Sequence, residues 1–359
     1  MPTIRCLLAA ALLVLGAAWP SAASASPQQV VQQAVDGFIR PGYQRFHAAA
    51  SALSEAVGRL CDAPSGERLA GARSAFADAV AAWSAIEIVR FGPVTEENRL
   101  ERVLYWPDRK GLGLKQVQAA LASQDATAAD PATLAGKSVA MQGLGALEFV
   151  LFGTGADVLA ATGDGFRCRY GAAIAANLDA IAAALQDEWQ APDGFAARWT
   201  APGPENPLYR DQQEALTELL EVFVNGLELV RDQRLGGFLA EKAADDRPKQ
   251  ALLWRSALTA DALAANVAGL QALFDASRLA DELSAETRWI GGSIDFEFAN
   301  AADAAKGAKG PIAEVLADPR RRSKLAYFGI VTSSLSEQFG GRLSTELGLT
   351  AGFSSLDGD

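Results

Sequence analysis

Helical period runs through almost the whole of this sequence, and no stretch alternates apolar and polar residues as a strand would. Residues 28–61 set Val31, Val35 and Phe38, then Phe46, Ala50, Leu53 and Val57, on one stripe that is interrupted at Pro41-Gly42. Residues 66–91 repeat the pattern through Leu69, Phe76, Val80 and Trp83 and stop at Phe91-Gly92-Pro93, a glycine-then-proline helix end. After the turn-rich stretch 94–111, helical readings resume at 114–124, 131–152 and 167–189. Pro192, Pro202, Pro204 and Pro207 give residues 190–209 the composition of a connection. The second half reads as helices at 208–232, ended by Leu235-Gly236-Gly237, and at 248–274, 276–287, 311–317 and 321–347. Such a chain can bury its apolar stripes only helix against helix. The expectation is an all-α fold of two helical bundles, 26–190 and 210–359, joined by 191–209. A faint echo of Ile88-Val89-Arg90-Phe91-Gly92-Pro93 in Leu229-Val230-Arg231 and Arg234-Leu235-Gly236-Gly237 is what a duplicated bundle would leave.

The 359 residues suffice for two such cores. Residues 1–25 read as a secretory signal: Arg5, the apolar run CLLAAALLVLGAAW, then Ala23-Ser24-Ala25 as the small-residue cleavage pattern. Cleavage after Ala25 would leave 31 basic residues against 43 acidic ones, a net charge of −12, because the signal carries one Arg and no acid. That sign argues against nucleic acid and anionic membrane surfaces. No later apolar run reaches the roughly 18 residues of a membrane span, so a soluble, exported product is expected. Cys61 and Cys168 are then the only cysteines left, and in an oxidising compartment an isolated pair most often forms one disulfide; free thiols are the alternative.

Much chemistry is excluded by composition. His47 is the only histidine, so no HExxH helix or multi-histidine site can be assembled, and a Ser-His-Asp or Cys-His centre would have to use it. Gly153-Thr154-Gly155 reads as a helix-ending loop rather than a phosphate cradle. Glu214, Glu218, Glu221, Glu228 and Asp232 follow near-helical spacing as a solvated face, and Glu96, Glu97 and Glu101 form an acidic corner.

Polar residues on apolar faces are more informative. Between Lys137 and Asp157 the one charged residue is Glu148, inside SVAMQGLGALEFVLFG, which is apolar on every side and so reads as buried. A carboxylate there must be paired, hydrogen-bonded or protonated. Gly143 and Gly145 weaken the same helix, as close approach to a site would require. Trp83, Glu87 and Arg90 share a stripe at i, i+4 and i+7, and Asn98, Arg99, Arg102, Tyr105, Trp106 and Asp108 follow as a dense group of aromatic and hydrogen-bonding side chains. Arg90 or Arg102 would serve as the partner of Glu148. The result is either a structural ion-pair network or a ligand or metal cavity.

These residues carry a resemblance. Ala82-Trp83, Arg90-Phe91-Gly92-Pro93, Asn98-Arg99-Leu100, Tyr105-Trp106-Pro107-Asp108 and Gln142-Gly143-Leu144-Gly145-Ala146-Leu147-Glu148, with Arg234-Leu235-Gly236-Gly237, are similar to imelysin-like proteins. The resemblance implies two four-helix-bundle domains, export to the bacterial periplasm or envelope, and a link to iron uptake in a family named for a peptidase. It also implies a Gly-x-His-x-x-Glu motif at a site near the domain junction. Gly143 and Glu148 match that motif, but Gly145 stands where the histidine belongs. Losing the imidazole removes a transition-metal ligand and a general base together. Oxygen ligands could still hold iron or another divalent cation. The expectation is therefore a non-catalytic binding protein of iron acquisition with iron-uptake envelope proteins as partners. Glu148 would be its metal ligand or site organiser, among Gly143, Gly145, Glu87, Arg90, Arg102, Tyr105 and Asp108. The rivals are a Glu148-dependent metallopeptidase and an envelope scaffold.

Overall fold

The computed structural model describes residues 27–349 apart from 109 and 164; the signal expected over 1–25 lies outside them. Among the described residues the regular structure is helical throughout. Helices α1 (Pro27–Ala34) and α2 (Arg40–Asp62) run on through a π-turn at Val35–Ile39. Pro41-Gly42 therefore does not break the helix: Pro41 sits in the first turn of α2, where the widened turn ahead of it has no need of its missing N–H. Helix α3 (Gly66–Ile86) starts where the Ser65 side chain accepts from the Arg68 N–H at 3.1 Å. Two short helices, α4 (Arg99–Val103) and α5 (Leu112–Ser123), lead to α6 (Gly143–Phe152) and the long α7 (Phe166–Gln190).

Helices α2, α3, α6 and α7 pack as one group. Tyr43, Phe46, Leu53, Val57 and Leu60 of α2 are buried on the expected stripe. Cys61 and Cys168 are bonded, tying the end of α2 to the start of α7 across 107 residues. At the other end of α6, the Arg167 guanidinium donates to the carbonyls of Phe149, Val150 and Thr154, satisfying a helix C-terminus that would otherwise leave them open.

The second group is α8 (Gln212–Glu228, continued by a π-turn through Leu235), α9 (Thr259–Ser277), α10 (Trp289–Lys306) and α11 (Pro319–Glu337). Helix α1 packs on α8 and α9 of this group rather than on its own continuation's neighbours. The stretch 191–209 is a packed connection: it includes a short helix, Phe195–Thr200, whose Trp199 is fully buried and donates to the Ala215 carbonyl. The groups meet along α3 and α9, where Gly269 lies so close to Ala85 that a Cβ there would fall 2.0 Å from its carbonyl oxygen. No described helix is long and apolar enough to cross a membrane.

Three expected helices are different in the structure. Residues 131–152 are not continuous; Pro131–Leu134 and a 3-10 turn at Val139–Met141 precede α6. The expected helix over 276–287 is a turn-rich passage, and the long α10 follows where no helix was expected. The expected helix over 248–274 begins only at Thr259, and the residues before it form a loop. That loop makes one wall of the site.

Candidate functional site

A cavity of about 490 Å³ lies where the two groups meet. Tyr105, Trp106, Asp108, Gly145 and Glu148 line it from the first group, and Asp232, Gly236, Gly237, Arg247, Lys249 and Arg255 from the second. Its size suits a small organic ligand.

Two glycines set the position of Glu148. Gly143 adopts φ +74°, and a Cβ there would sit 2.4 Å from the carbonyl oxygens of both Arg102 and Val103. Only glycine lets α6 begin against the end of α4. Gly145, one turn before Glu148, is exposed, lines the cavity and has nothing within 4 Å of its Cβ position. The place where the resemblance led to the expectation of an imidazole is open space.

Glu148 is buried, and the second group holds it. Its Oε1 accepts from the backbone N–H of Arg255 at 3.0 Å and of Ser256 at 2.9 Å. The Ser256 hydroxyl lies 2.9 Å from Oε1 and 3.1 Å from the Leu253 carbonyl, sharing one proton between them. Successive amides converging on an anion form a nest. The loop reaches this shape with Leu253 at φ +58° and Ala257 at φ +61°, conformations that cost about 1–3 kcal/mol each in residues with a Cβ. Burial pushes the Glu148 carboxyl above its usual range, and the Ser256 and Arg255 contacts only partly offset this.

Arg255 is the nearest cation, with Nη1 3.9 Å from Oε2. It lies over the rings of Trp254 and Phe149, 4.4 and 5.4 Å from their centroids, and burial lowers its pKa. Asp108 works locally: its carboxylate accepts from the N–H groups of Leu112, Gly113 and Leu114 and so starts α5.

Several expected site residues stand elsewhere. Neither Arg90 nor Arg102 pairs with Glu148. Arg90 is exposed, because α3 ends at Ile86 and the stripe through Trp83 turns outward before reaching it. Arg102 donates to Gln142 at 3.3 Å and Asn177 at 2.9 Å. Glu87 is buried outside the cavity, accepting from Arg234 at 2.6 Å and Asn266 at 2.8 Å. His47 lies between α2 and α7, near Gln186 and Asp179, and does not line the cavity. Glu214, Glu218, Glu221 and Glu228 are half-buried rather than a solvated face, whereas Glu96, Glu97 and Glu101 are exposed as expected. Among the described residues no three His, Cys, Asp or Glu side chains gather into a metal-binding group.

The sequence reading missed Arg247, Lys249 and the loop Leu253–Ser256. One signal was present: Asp261 suits the first turn of a helix beginning at Thr259, which places the preceding Trp254-Arg255-Ser256 outside it.

An all-helical protein whose two helix groups close on a cavity, with a glutamate of one gripped by a loop of the other, is the class that fold and site define. The imelysin family's sequence profile matches residues 39–338, and the chain belongs to that family. Iron-regulated protein A of Synechococcus elongatus is 27% identical over 221 residues, covering 60% of this chain. The match spans 56% of that relative's length. An imelysin-like protein from Psychrobacter arcticum 273-4 superposes with a TM-score of 0.73 at 21% identity, over 91% of this chain and 97% of its own, and so shares the fold.

Proposed function

We propose that this chain is an exported, non-catalytic binding protein of bacterial iron acquisition, and that the junction cavity is its ligand site. The halves 26–190 and 210–359, linked by 191–209, supply its two walls. The observation that carries the reading is the state of Glu148: its Oε1 is taken by the Arg255–Ser256 nest, Gly145 stands where the motif has its imidazole, and the remaining Oε2 belongs to no group of three metal-binding side chains among the described residues. Glu148 then organises the second wall by holding a strained loop. Export accords with the Cys61–Cys168 bond, since such bonds persist in oxidising compartments, and with the signal pattern over 1–25. The link to iron comes from the similarity to iron-regulated protein A. Iron-uptake proteins of the envelope are the partners this role implies.

A host strain lacking the gene should grow more slowly than its parent when iron is chelated and equally well when iron is plentiful. The wild-type gene should restore growth, and the product should sit in the periplasm beginning at Ser26. Equal growth under chelation would refute the iron role. Peptide hydrolysis by the purified protein that disappears in Glu148→Gln would refute the non-catalytic one.

A further inference from the structure

The cavity is lined by three carboxylates, and each is engaged through at least one oxygen. Glu148 Oε1 is held by the nest, Asp108 by three backbone amides, and Asp232 by the Arg231 guanidinium at 2.6 Å. The three lining cations are much freer. The Arg255 guanidinium approaches Glu148 no closer than 3.9 Å. Arg247 and Lys249 are exposed at the rim, and among the described residues neither has a carboxylate within ion-pair distance.

The start of α6 adds donors. Gln142 turns its side chain to Arg102, Asn177 and the Lys137 carbonyl and caps nothing, so the helix begins without a side-chain cap. Gly145, in the first turn, lines the cavity with open space where a side chain would stand. A hard cation calls for several free oxygen ligands at once, which this wall does not offer. Trp106, Trp254 and Phe149 supply apolar, aromatic surface in the cavity wall, and an inorganic anion would fill only a small part of 490 Å³.

We infer that the ligand of this cavity is a small organic oligocarboxylate, taken free or as the anionic shell of a ferric chelate, with its carboxylates on Arg255, Arg247 and Lys249. The guanidinium groups match carboxylates in a two-bond geometry, and Lys249 adds a point charge. The inference rests on reading the cavity as a binding site and goes further by naming the chemistry: iron would enter with its chelator, and the protein would contact the chelator.

Calorimetric titration of the purified protein with citrate, ferric citrate, ferrous iron alone and inorganic phosphate tests this. Citrate, ferric citrate or both should bind, more weakly as salt is raised, and the Arg247→Ala/Lys249→Ala double variant should lose at least about tenfold in affinity with an unchanged melting temperature. Binding of ferric citrate alone would identify the chelate as the source, and binding of both the acid itself. Tighter binding of bare ferrous iron, equal binding of phosphate, or full affinity in the double variant would overturn the inference while leaving a binding function standing. No binding of either carboxylate probe would also overturn it, and the growth experiment would still decide the iron role.

Discussion

Glu87 and Glu148 are both buried carboxylates of the first helix group, and both are held by the second, but by different means. Glu87 meets a guanidinium, Arg234, and an amide, Asn266, inside the helix interface. Glu148 meets backbone amides and a hydroxyl, with its nearest cation 3.9 Å away and a cavity in front of it. The first contact neutralises a charge and closes the seam between the groups. The second fixes a loop without consuming a cation, which leaves Arg255 available to whatever enters the cavity. The same residue type thus serves as glue in one place and as a scaffold for a site in the other.

The largest effect is expected from breaking the glue. Arg234 has no other carboxylate partner among the described residues, and its Nε and Nη1 find no acceptor. Arg234→Met would leave the buried Glu87 charge with the Asn266 amide but no cation against it, at a cost of about 3–5 kcal/mol. Thermal or urea unfolding should show this loss. A loss below about 1 kcal/mol would mean that the groups are held by their apolar contacts alone and that the contrast with Glu148 is empty.

Glu148→Gln should cost less, on the order of 1 kcal/mol, because an amide oxygen can still accept from the nest. Its pH dependence is the sharper test. The carboxyl is held above its usual range, so the folded protein binds a proton there more readily than the unfolded chain. The contribution of Glu148 to stability is therefore fullest below the ordinary carboxylate pKa and fades as pH rises through the folded-state value. Glutamine does not titrate. Urea unfolding from about pH 4 to about pH 8 should show wild type ahead at the acid end and the gap closing, or reversing, toward the alkaline end. A gap constant with pH would show that the nest, not burial, sets the protonation of Glu148.

The parts of this contrast differed in how legible they were. Burial of Glu148 could be read because an apolar surround leaves a carboxylate nowhere else to go, and the pairing of Cys61 with Cys168 followed from having two cysteines. The Glu148 partners could not be read, since they are backbone amides from residues 107 and 108 positions away, and amides carry no sequence signature. Helical period also misled at 248–258: apolar Ala251, Leu252 and Leu253 with Trp254 fit a helix face, but the first three are buried, and Trp254 half-buried, in a loop whose backbone bonds go to Glu148 and to local turns. For Glu87 the stripe through Trp83 gave the inward direction correctly, while its partner, Arg234, was visible only as part of a glycine-ended motif.

The smallest effect, and the one that isolates the open side of the Glu148 site, is expected at Gly145. Gly143 two residues earlier is fixed by a positive φ and by the backbone against it, so its glycine is a folding requirement. Gly145 has ordinary helical geometry and empty space where a Cβ would point. Gly145→Ala should therefore stabilise the protein by up to ~1 kcal/mol through helix propensity and the reduced freedom of the unfolded chain. A gain would mean that folding does not need this glycine, and that the open floor beside the α6 amides is kept for the ligand. A loss of more than about 1 kcal/mol would place Gly145 with Gly143 as a packing residue and shrink the difference between the two carboxylates to their partners alone.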